Sequence, residues 1–170
     1  MSFEVETGCR PPGYARRSAR EAMDAFPFTN VDWERVKDAA HPVLEARLAD
    51  DDAVADSMFL SLQETLADLR RKYGDHPVLL ETEADFCDDT GDSIALYNRA
   101  LSIARENSLP TVSICLSYAR TLIDETGDAN AARRVLKSCR EEVHRNCDES
   151  DGIEYEELTT LLGLPNRDTM

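Results

Sequence analysis

Histidine is scarce in this chain, and the spacing of the histidines and cysteines does not bring them together. The three histidines are His41, His76 and His144, and the first two directly precede a proline. His144 lies between Cys139 and Cys147, but at about 100° per residue these side chains point in different directions around a helix. The sequence therefore predicts no tetrahedral metal site.

One acidic segment resembles the end of a calcium-binding EF-hand loop. It runs from Asp148 to Glu157, but Cys147 falls at the first ligand position and Glu157 lies one residue short of the bidentate position. A turn followed by a helix with Asp151 and Glu154 as a capping pair explains the same residues. We therefore expect no calcium site.

Carboxylates are abundant, but no catalytic motif organises them. The chain has no GxGxxG, GxxxxGK[ST], HExxH or GxSxG pattern. General acid-base catalysis also requires a pair of groups in a shaped, partly dry pocket, which spacing alone does not reveal. We expect no catalytic residue, no cofactor and no enzyme activity. The alternative that stays open is a carboxylate-based metal-binding or enzymatic helical bundle.

The charge of the chain limits its partners. Its 170 residues include 34 acids and 19 bases, which gives a formal net charge of -15. The first 30 residues are neutral, so the remainder carries the whole excess. Nucleic acids and anionic membranes are disfavoured partners because both attract basic surfaces.

Location and redox state follow from what the sequence lacks. No stretch approaches the ~20 apolar residues of a membrane span, and no secretory signal is present. Five cysteines at wide spacings, without a CxxC pair, indicate a reducing compartment. We expect a cytoplasmic protein in which Cys87, Cys115 and Cys139 belong to the core.

Apolar residues recur at helical spacing almost throughout, which predicts an all-α fold. Residues 1–28 are expected to form a polar tail plus a short basic amphipathic helix, residues 29–165 a single helical-repeat domain, and residues 166–170 a disordered tail. At Pro42 either a helix kinks or a new one begins. The other helices are expected at residues 32–48, 53–73, 77–89, 92–107, 110–126, 128–146 and 151–162.

Turn and cap residues set the expected boundaries of these helices. Gly91 and Gly127 each end a helix, and Asp92 and Asp128 cap the helices that follow. Pro110 is expected to open another helix. The remaining signals are Thr29 as an N-cap, the run Asp50-Asp51-Asp52 as a turn and an N-cap, Pro77 as a first helical residue, and Gly74 and Gly163 as stops.

A short motif occurs twice. The segment Asp89-Thr90-Gly91-Asp92 reappears 36 residues later as Glu125-Thr126-Gly127-Asp128. A period of this length, with a helix on each side of the turn, is typical of a helical solenoid. This period predicts three helix pairs, with the helix at 151–162 capping the open end.

The repeat resembles the tetratricopeptide family, or its relative built of half-a-tetratricopeptide repeats. The resemblance is best over residues 77–147, where apolar and small residues of the third pair fall at the family's packing positions. In the second pair Tyr97, Ala100 and Leu101 match, although their spacing from Gly91 is about three residues short. The first pair scarcely matches. The resemblance implies a right-handed α-solenoid of about three such pairs, with an N-terminal helix and a C-terminal capping helix.

The resemblance also implies a concave groove lined by the first helix of each pair. Carried over to this sequence, the lining is mostly acidic, which favours a basic or amphipathic protein or peptide partner. The implied groove residues are Glu81, Asp85, Asp88, Asp89, Ser117, Arg120, Thr121, Asp124 and Glu125.

The expected function is thus a non-enzymatic protein-protein interaction module, an adaptor or chaperone-like protein. The N-terminal helix carries Arg16, Arg17 and Arg20 on one face, so it could itself dock into the acidic groove. Alternatively, the acids are only a solvated helix face. Association with a second copy of the chain also stays open.

Overall fold

A computed structural model describes residues 24–164 of the chain. Most of the expected N-terminal helix, including Arg16, Arg17 and Arg20, and the expected tail at 166–170 lie outside these residues. The described part contains helices and no strand, as the sequence predicts. The helices are α1 (Asn30–Leu48), α2 (Asp52–Tyr73), α3 (Pro77–Phe86), α4 (Thr90–Glu106), α5 (Val112–Asp124), α6 (Ala129–Asn146) and α7 (Glu149–Leu161).

Several predicted helix ends are confirmed. Thr29 caps α1 by accepting a hydrogen bond from the backbone N–H of Asp32. Pro42 lies inside α1, which continues without a second start. The other confirmed ends are an N-cap within the run Asp50-Asp51-Asp52, which the structure assigns to Asp51, Asp128 as an N-cap, Pro77 as the first residue of α3, and Gly74, Gly127 and Gly163 with positive φ after their helices.

The expected turn between α3 and α4 is wrong. The α3 helix ends at Phe86, and Gly91 lies in the first turn of α4. The cap is Asp89 and not Asp92, because the Asp89 carboxylate accepts a hydrogen bond from the Asp92 N–H at 2.8 Å. The two Gly-Asp motifs are therefore not structurally equivalent.

Two other starts are corrected. The α5 helix begins at Val112 after Thr111, and Pro110 lies before it. The α7 helix is capped by Asp148, whose carboxylate accepts a hydrogen bond from the Asp151 N–H. Asp151 is thus a residue of the first turn and not the cap, and most of the EF-hand-like segment is helical.

Three of the helices begin in the same way. Asp51, Asp89 and Asp128 cap α2, α4 and α6, and successive caps lie 38 and 39 residues apart. The residues four and eleven positions after each cap are buried. They are Ala55 and Leu62 in α2, Ser93 and Ala100 in α4, and Ala132 and Cys139 in α6. The caps Asp89 and Asp128 lie three residues further apart than Gly91 and Gly127 do. This difference explains why Tyr97, Ala100 and Leu101 lie about three residues too close to Gly91 for the family's pattern.

Helices that follow each other in the chain pack together. The closest packing joins α1 to α2, α3 to α4, and α5 to α6, while α5 also touches α3 and α7. Buried side chains form one cluster around α1 and α2 and another that extends from α3 to α7. The α3 helix contributes to both, because Leu79 belongs to the first cluster and Leu80 to the second.

Polar contacts fix the ends of α1 and α2. The buried carboxylate of Asp32 accepts hydrogen bonds from Lys72 Nζ at 2.7 Å, from Tyr73 Oη at 2.5 Å and from Thr29 Oγ1 at 2.7 Å. The hydrogen bond from Lys72 is the main reason that the pKa of Asp32 lies well below its usual range. An ion pair between Arg70 and Glu83 then joins α2 to α3.

Candidate functional site

Alternate helices place four carboxylates on one surface. Glu81 and Asp85 lie on α3, and Asp151 and Glu154 lie on α7, on the other side of α5. The α5 helix contributes Ser113 and Ser117 between them. We call these six residues the acidic face.

The α3 carboxylates lie one helical turn apart and both accept hydrogen bonds from neighbouring helices. Ser113 Oγ on α5 donates to Glu81 at 3.3 Å, and Tyr97 Oη on α4 donates to Asp85 at 2.5 Å. Ser117 also donates to Asp85. The two acids are thus held in position by hydroxyl groups, and no Lys or Arg of residues 24–164 forms an ion pair with either.

The surroundings of Glu81 disfavour its charged form. Burial raises the pKa of this carboxyl to about 8, and the neighbouring negative charges of Asp85 and Asp151 act in the same direction. Glu81 is therefore largely protonated near neutral pH while no Lys or Arg of residues 24–164 pairs with it.

The Asp85 side chain is exposed to solvent, but the surrounding protein still shifts its pKa. Its side chain is exposed by surface area, yet groups of α4, α5 and α7 surround it. This burial by neighbouring atoms raises the pKa of Asp85, while the hydrogen bonds from Tyr97 and Ser117 oppose the shift.

One cation reaches the acidic face from α5, and it is already paired. Arg120 donates to Glu154 Oε1 from Nε at 3.0 Å and from Nη2 at 2.7 Å. This hydrogen bonding raises the pKa of Arg120 further above its ordinary value. The pair joins α5 to α7 and leaves Glu81 and Asp85 uncompensated.

The structure brings together five of the residues expected in the groove. Glu81, Asp85 and Ser117 belong to the acidic face, and Arg120 and Thr121 adjoin it on α5. Thr121 lies one turn after Ser117 and is a hydrogen-bond partner of Tyr97.

The other four expected groove residues lie at helix ends. Asp88 forms an ion pair with Arg47 of α1 at 2.5 Å, and Asp89 caps α4. Asp124 is the last residue of α5, and Glu125 is its C-cap. Both of these are exposed, so the α3 and α5 acids are less concentrated on one surface than the sequence suggested.

Four residues of this region were not predicted to belong to it. Asp151 and Glu154 had been interpreted as a capping pair, and Ser113 and Tyr97 were not considered as site residues. The spacing of Ser113, Ser117 and Thr121 is four residues each time, which is a visible signal for one helix face. No such signal places α7 beside α5.

The cysteines differ in burial. Cys115 and Cys139 are buried as predicted, whereas the prediction is wrong for Cys87, which is only partly buried, as is Cys147. Cys115 interacts with Cys139 across the α5–α6 interface, and this interaction together with burial raises the pKa of Cys139.

The described residues contain neither a cluster of metal ligands nor a membrane-spanning helix. Among residues 24–164, no three His, Cys, Asp or Glu side chains are arranged so that they could hold a metal ion. None of the helices in the same part of the chain is long and apolar enough to cross a membrane.

Comparisons with known proteins give no relative: no family model, curated protein or solved structure matches the chain significantly.

Proposed function

We propose that this chain is a non-enzymatic protein-protein interaction module built of tetratricopeptide-like helix pairs. The pairs are α1–α2, α3–α4 and α5–α6, and α7 caps the last one. Two observations support this arrangement: the Asp-capped start common to α2, α4 and α6, and the contacts of α5 with both α3 and α7. In a right-handed solenoid, these contacts would line the first helices of successive pairs along one concave side.

The acidic face is the proposed binding groove, and its partner is a basic or amphipathic peptide segment. The observation that carries this proposal is the uncompensated pair Glu81 and Asp85. Arg120 is engaged by Glu154, so an incoming Lys or Arg is the group that would neutralise the α3 acids. The hydroxyls of Ser113 and Ser117 would supply hydrogen bonds to the peptide backbone.

The raised pKa of Glu81 supports a cationic partner in a second way. A Lys or Arg beside this carboxyl lowers its pKa, because an opposite charge favours the ionised form. Binding near pH 7 would then release a proton from Glu81. Proton release is a specific signature of this site, since an exposed acid with an ordinary pKa is already ionised at that pH.

The first test is a titration with a short fluorescent Lys-rich peptide, followed by anisotropy at low salt. The variant carries Glu81→Gln and Asp85→Asn, which keep the shape and most hydrogen bonds but leave neither side chain able to become negatively charged. A matched control carries Glu64→Gln and Asp56→Asn, two exposed acids of α2. We expect about tenfold weaker binding in the first variant and less than about twofold in the control.

Two results would contradict the proposed groove. Equal weakening of both double variants would mean that the net charge attracts the peptide without a specific groove. No binding by the wild-type protein would also overturn the proposal. A Glu-rich peptide of the same length serves as the ligand control, and circular dichroism verifies that each variant stays folded.

A further inference from the structure

A second polar recess lies away from the acidic face, where α4 ends beside α6. It is a cavity of about 670 Å³ between the end of α4, the connection to α5 and the outer side of α6. Cations and hydroxyl groups dominate its lining. They are Arg105, Lys137, Arg145, Ser108, Thr111 and Ser138. We call this the basic cavity.

The two acids that also line the basic cavity are already engaged. Glu142 accepts hydrogen bonds from the backbone N–H of Thr111 at 2.8 Å and from its hydroxyl at 2.6 Å. Glu141 pairs with Arg145 at 3.1 Å. Arg105 and Lys137 are left without a carboxylate partner among residues 24–164.

Bases without a carboxylate partner are concentrated around α6. On helices α1 to α5, each Lys and Arg except Arg105 has an ion pair with a carboxylate in the described structure. On α6, Arg133, Arg134 and Arg140 lack such a pair as Lys137 does, but they do not line the cavity. The lining itself has three bases against two acids, which is a local excess of positive charge on a chain with a net charge of -15.

The groups around these cations are suited to an anion. Arg105 Nη2 donates to Ser138 Oγ at 2.9 Å, which holds the guanidinium against the α6 wall. The N-terminus of α5 lies beside the basic cavity, and the side chain of its N-cap residue Thr111 makes no capping hydrogen bond. The Glu142 carboxylate binds there instead, as expected for the positive end of a helix dipole.

We propose that the basic cavity binds a phosphate group, either as a small phosphorylated molecule or as a phosphorylated side chain of a peptide. A phosphate monoester has about two negative charges and three acceptor oxygens. Arg105 and Lys137 match the two charges, and the Ser108 hydroxyl supplies a further donor, since those of Thr111 and Ser138 already donate to Glu142 and to the Val135 carbonyl. A nucleic-acid backbone does not fit, because its neighbouring phosphates would meet the acidic remainder of the surface.

The inference is independent of the proposed peptide groove. The basic cavity uses α4 and α6, whereas the acidic face uses α3, α5 and α7. The two sites also require opposite charges in their ligands, so either can fail without affecting the other.

The test uses inorganic phosphate as the first probe, in a phosphate-free buffer, with isothermal titration calorimetry on the full chain. Lys137→Gln removes a cavity cation that has no hydrogen-bond partner to lose. Arg134→Gln is the matched control, because Arg134 lies one turn earlier on α6 and outside the lining. We expect Lys137→Gln to weaken binding about fivefold or more and Arg134→Gln to change it less than about twofold.

Further probes identify the source of the phosphate. Tighter binding of a phosphoserine peptide than of inorganic phosphate, with no binding of the unphosphorylated peptide, indicates a peptide ligand. Comparable or tighter binding of inorganic phosphate indicates a small molecule. Arg105→Gln is a second variant and should also weaken binding. Equal loss in Lys137→Gln and Arg134→Gln, or no binding of any phosphorylated probe, overturns the proposal.

Discussion

Two carboxyl groups, Asp32 and Glu81, show how strongly position decides the charge of a residue in this chain. Asp32 is surrounded by donors, with Lys72 and Tyr73 both within hydrogen-bond distance, and its pKa is lowered. Burial, reinforced by the negative charges of Asp85 and Asp151, raises the pKa of Glu81 to about 8, and the hydrogen bond from Ser113 opposes this rise only weakly. The Asp32 carboxylate therefore stabilises the packing of α1 against α2, whereas an ionised Glu81 carboxylate destabilises the folded protein.

The shift of Glu81 predicts a pH-dependent stability. Between the ordinary pKa of 4.5 and the folded value of about 8, the folded protein holds a proton that the unfolded chain has lost. The contribution of Glu81 is therefore fully present below pH 4.5 and is lost as the pH rises towards 8. Glu81→Gln should be more stable than wild type by about 1 to 2 kcal/mol at pH 9, with a smaller difference at pH 5.

Urea unfolding at pH 5, 7 and 9 measures this difference. Glu64→Gln is the control and should show no comparable trend, because its side chain is exposed. A stability difference between wild type and Glu81→Gln that does not change with pH would contradict the assigned environment of Glu81.

Sequence spacing predicts the acidic face in part. Glu81 and Asp85 share one side of α3, and Ser117 and Thr121 share one side of α5, because residues four apart lie on the same helix face. The contribution of Asp151 and Glu154 depends on how α7 packs beside α5. That packing is a tertiary contact between distant residues, which helical spacing does not contain.

At the scale of the helices, local signals identify most elements but misplace some ends. The expected ends at Gly91 and Pro110 rested on residue type alone. Gly91 does not have the positive φ that favours glycine at a helix stop, whereas Gly127 does. The competing signal was the Asp89 side chain, which reaches the N–H of Asp92 and starts α4 earlier.

This difference can be tested with a pair of substitutions. Asp89→Ala removes the side-chain cap of α4 and should cost about 1 kcal/mol of unfolding free energy. Asp92→Ala removes only a favourable charge from the first turn and should cost less than about 0.5 kcal/mol. Urea unfolding at neutral pH compares the two. A larger cost for Asp92→Ala would mean that Asp92 is the cap, as the sequence alone suggested.

At the scale of the whole molecule, the described chain begins close to the acidic face. The Asp24 carbonyl accepts a hydrogen bond from Nε2 of the buried His76, directly before α3, at 2.9 Å. Glu81 lies five residues further, about 8 Å along the helix. Arg20 is four residues before Asp24 and can extend about 14 Å from it.

The N-terminal segment, which carries Arg16, Arg17 and Arg20, is thus tethered within reach of the uncompensated acids. A tethered cationic segment competes with a free peptide at a high effective concentration, even when its own affinity is weak. Deletion of residues 1–23 should therefore strengthen binding of the Lys-rich peptide by about threefold or more. The deletion stops before Phe28, because that side chain is buried in the cluster around α1 and α2.

A full-length variant separates charge from chain length. Replacing Arg16, Arg17 and Arg20 by Gln keeps the segment but removes its cations, and it should strengthen peptide binding as much as the deletion does. Anisotropy titrations of the three proteins at low salt provide the comparison. Unchanged affinity in both variants would show that the N-terminal segment does not occupy the groove, while a gain in the deletion alone would show that it blocks access without its arginines.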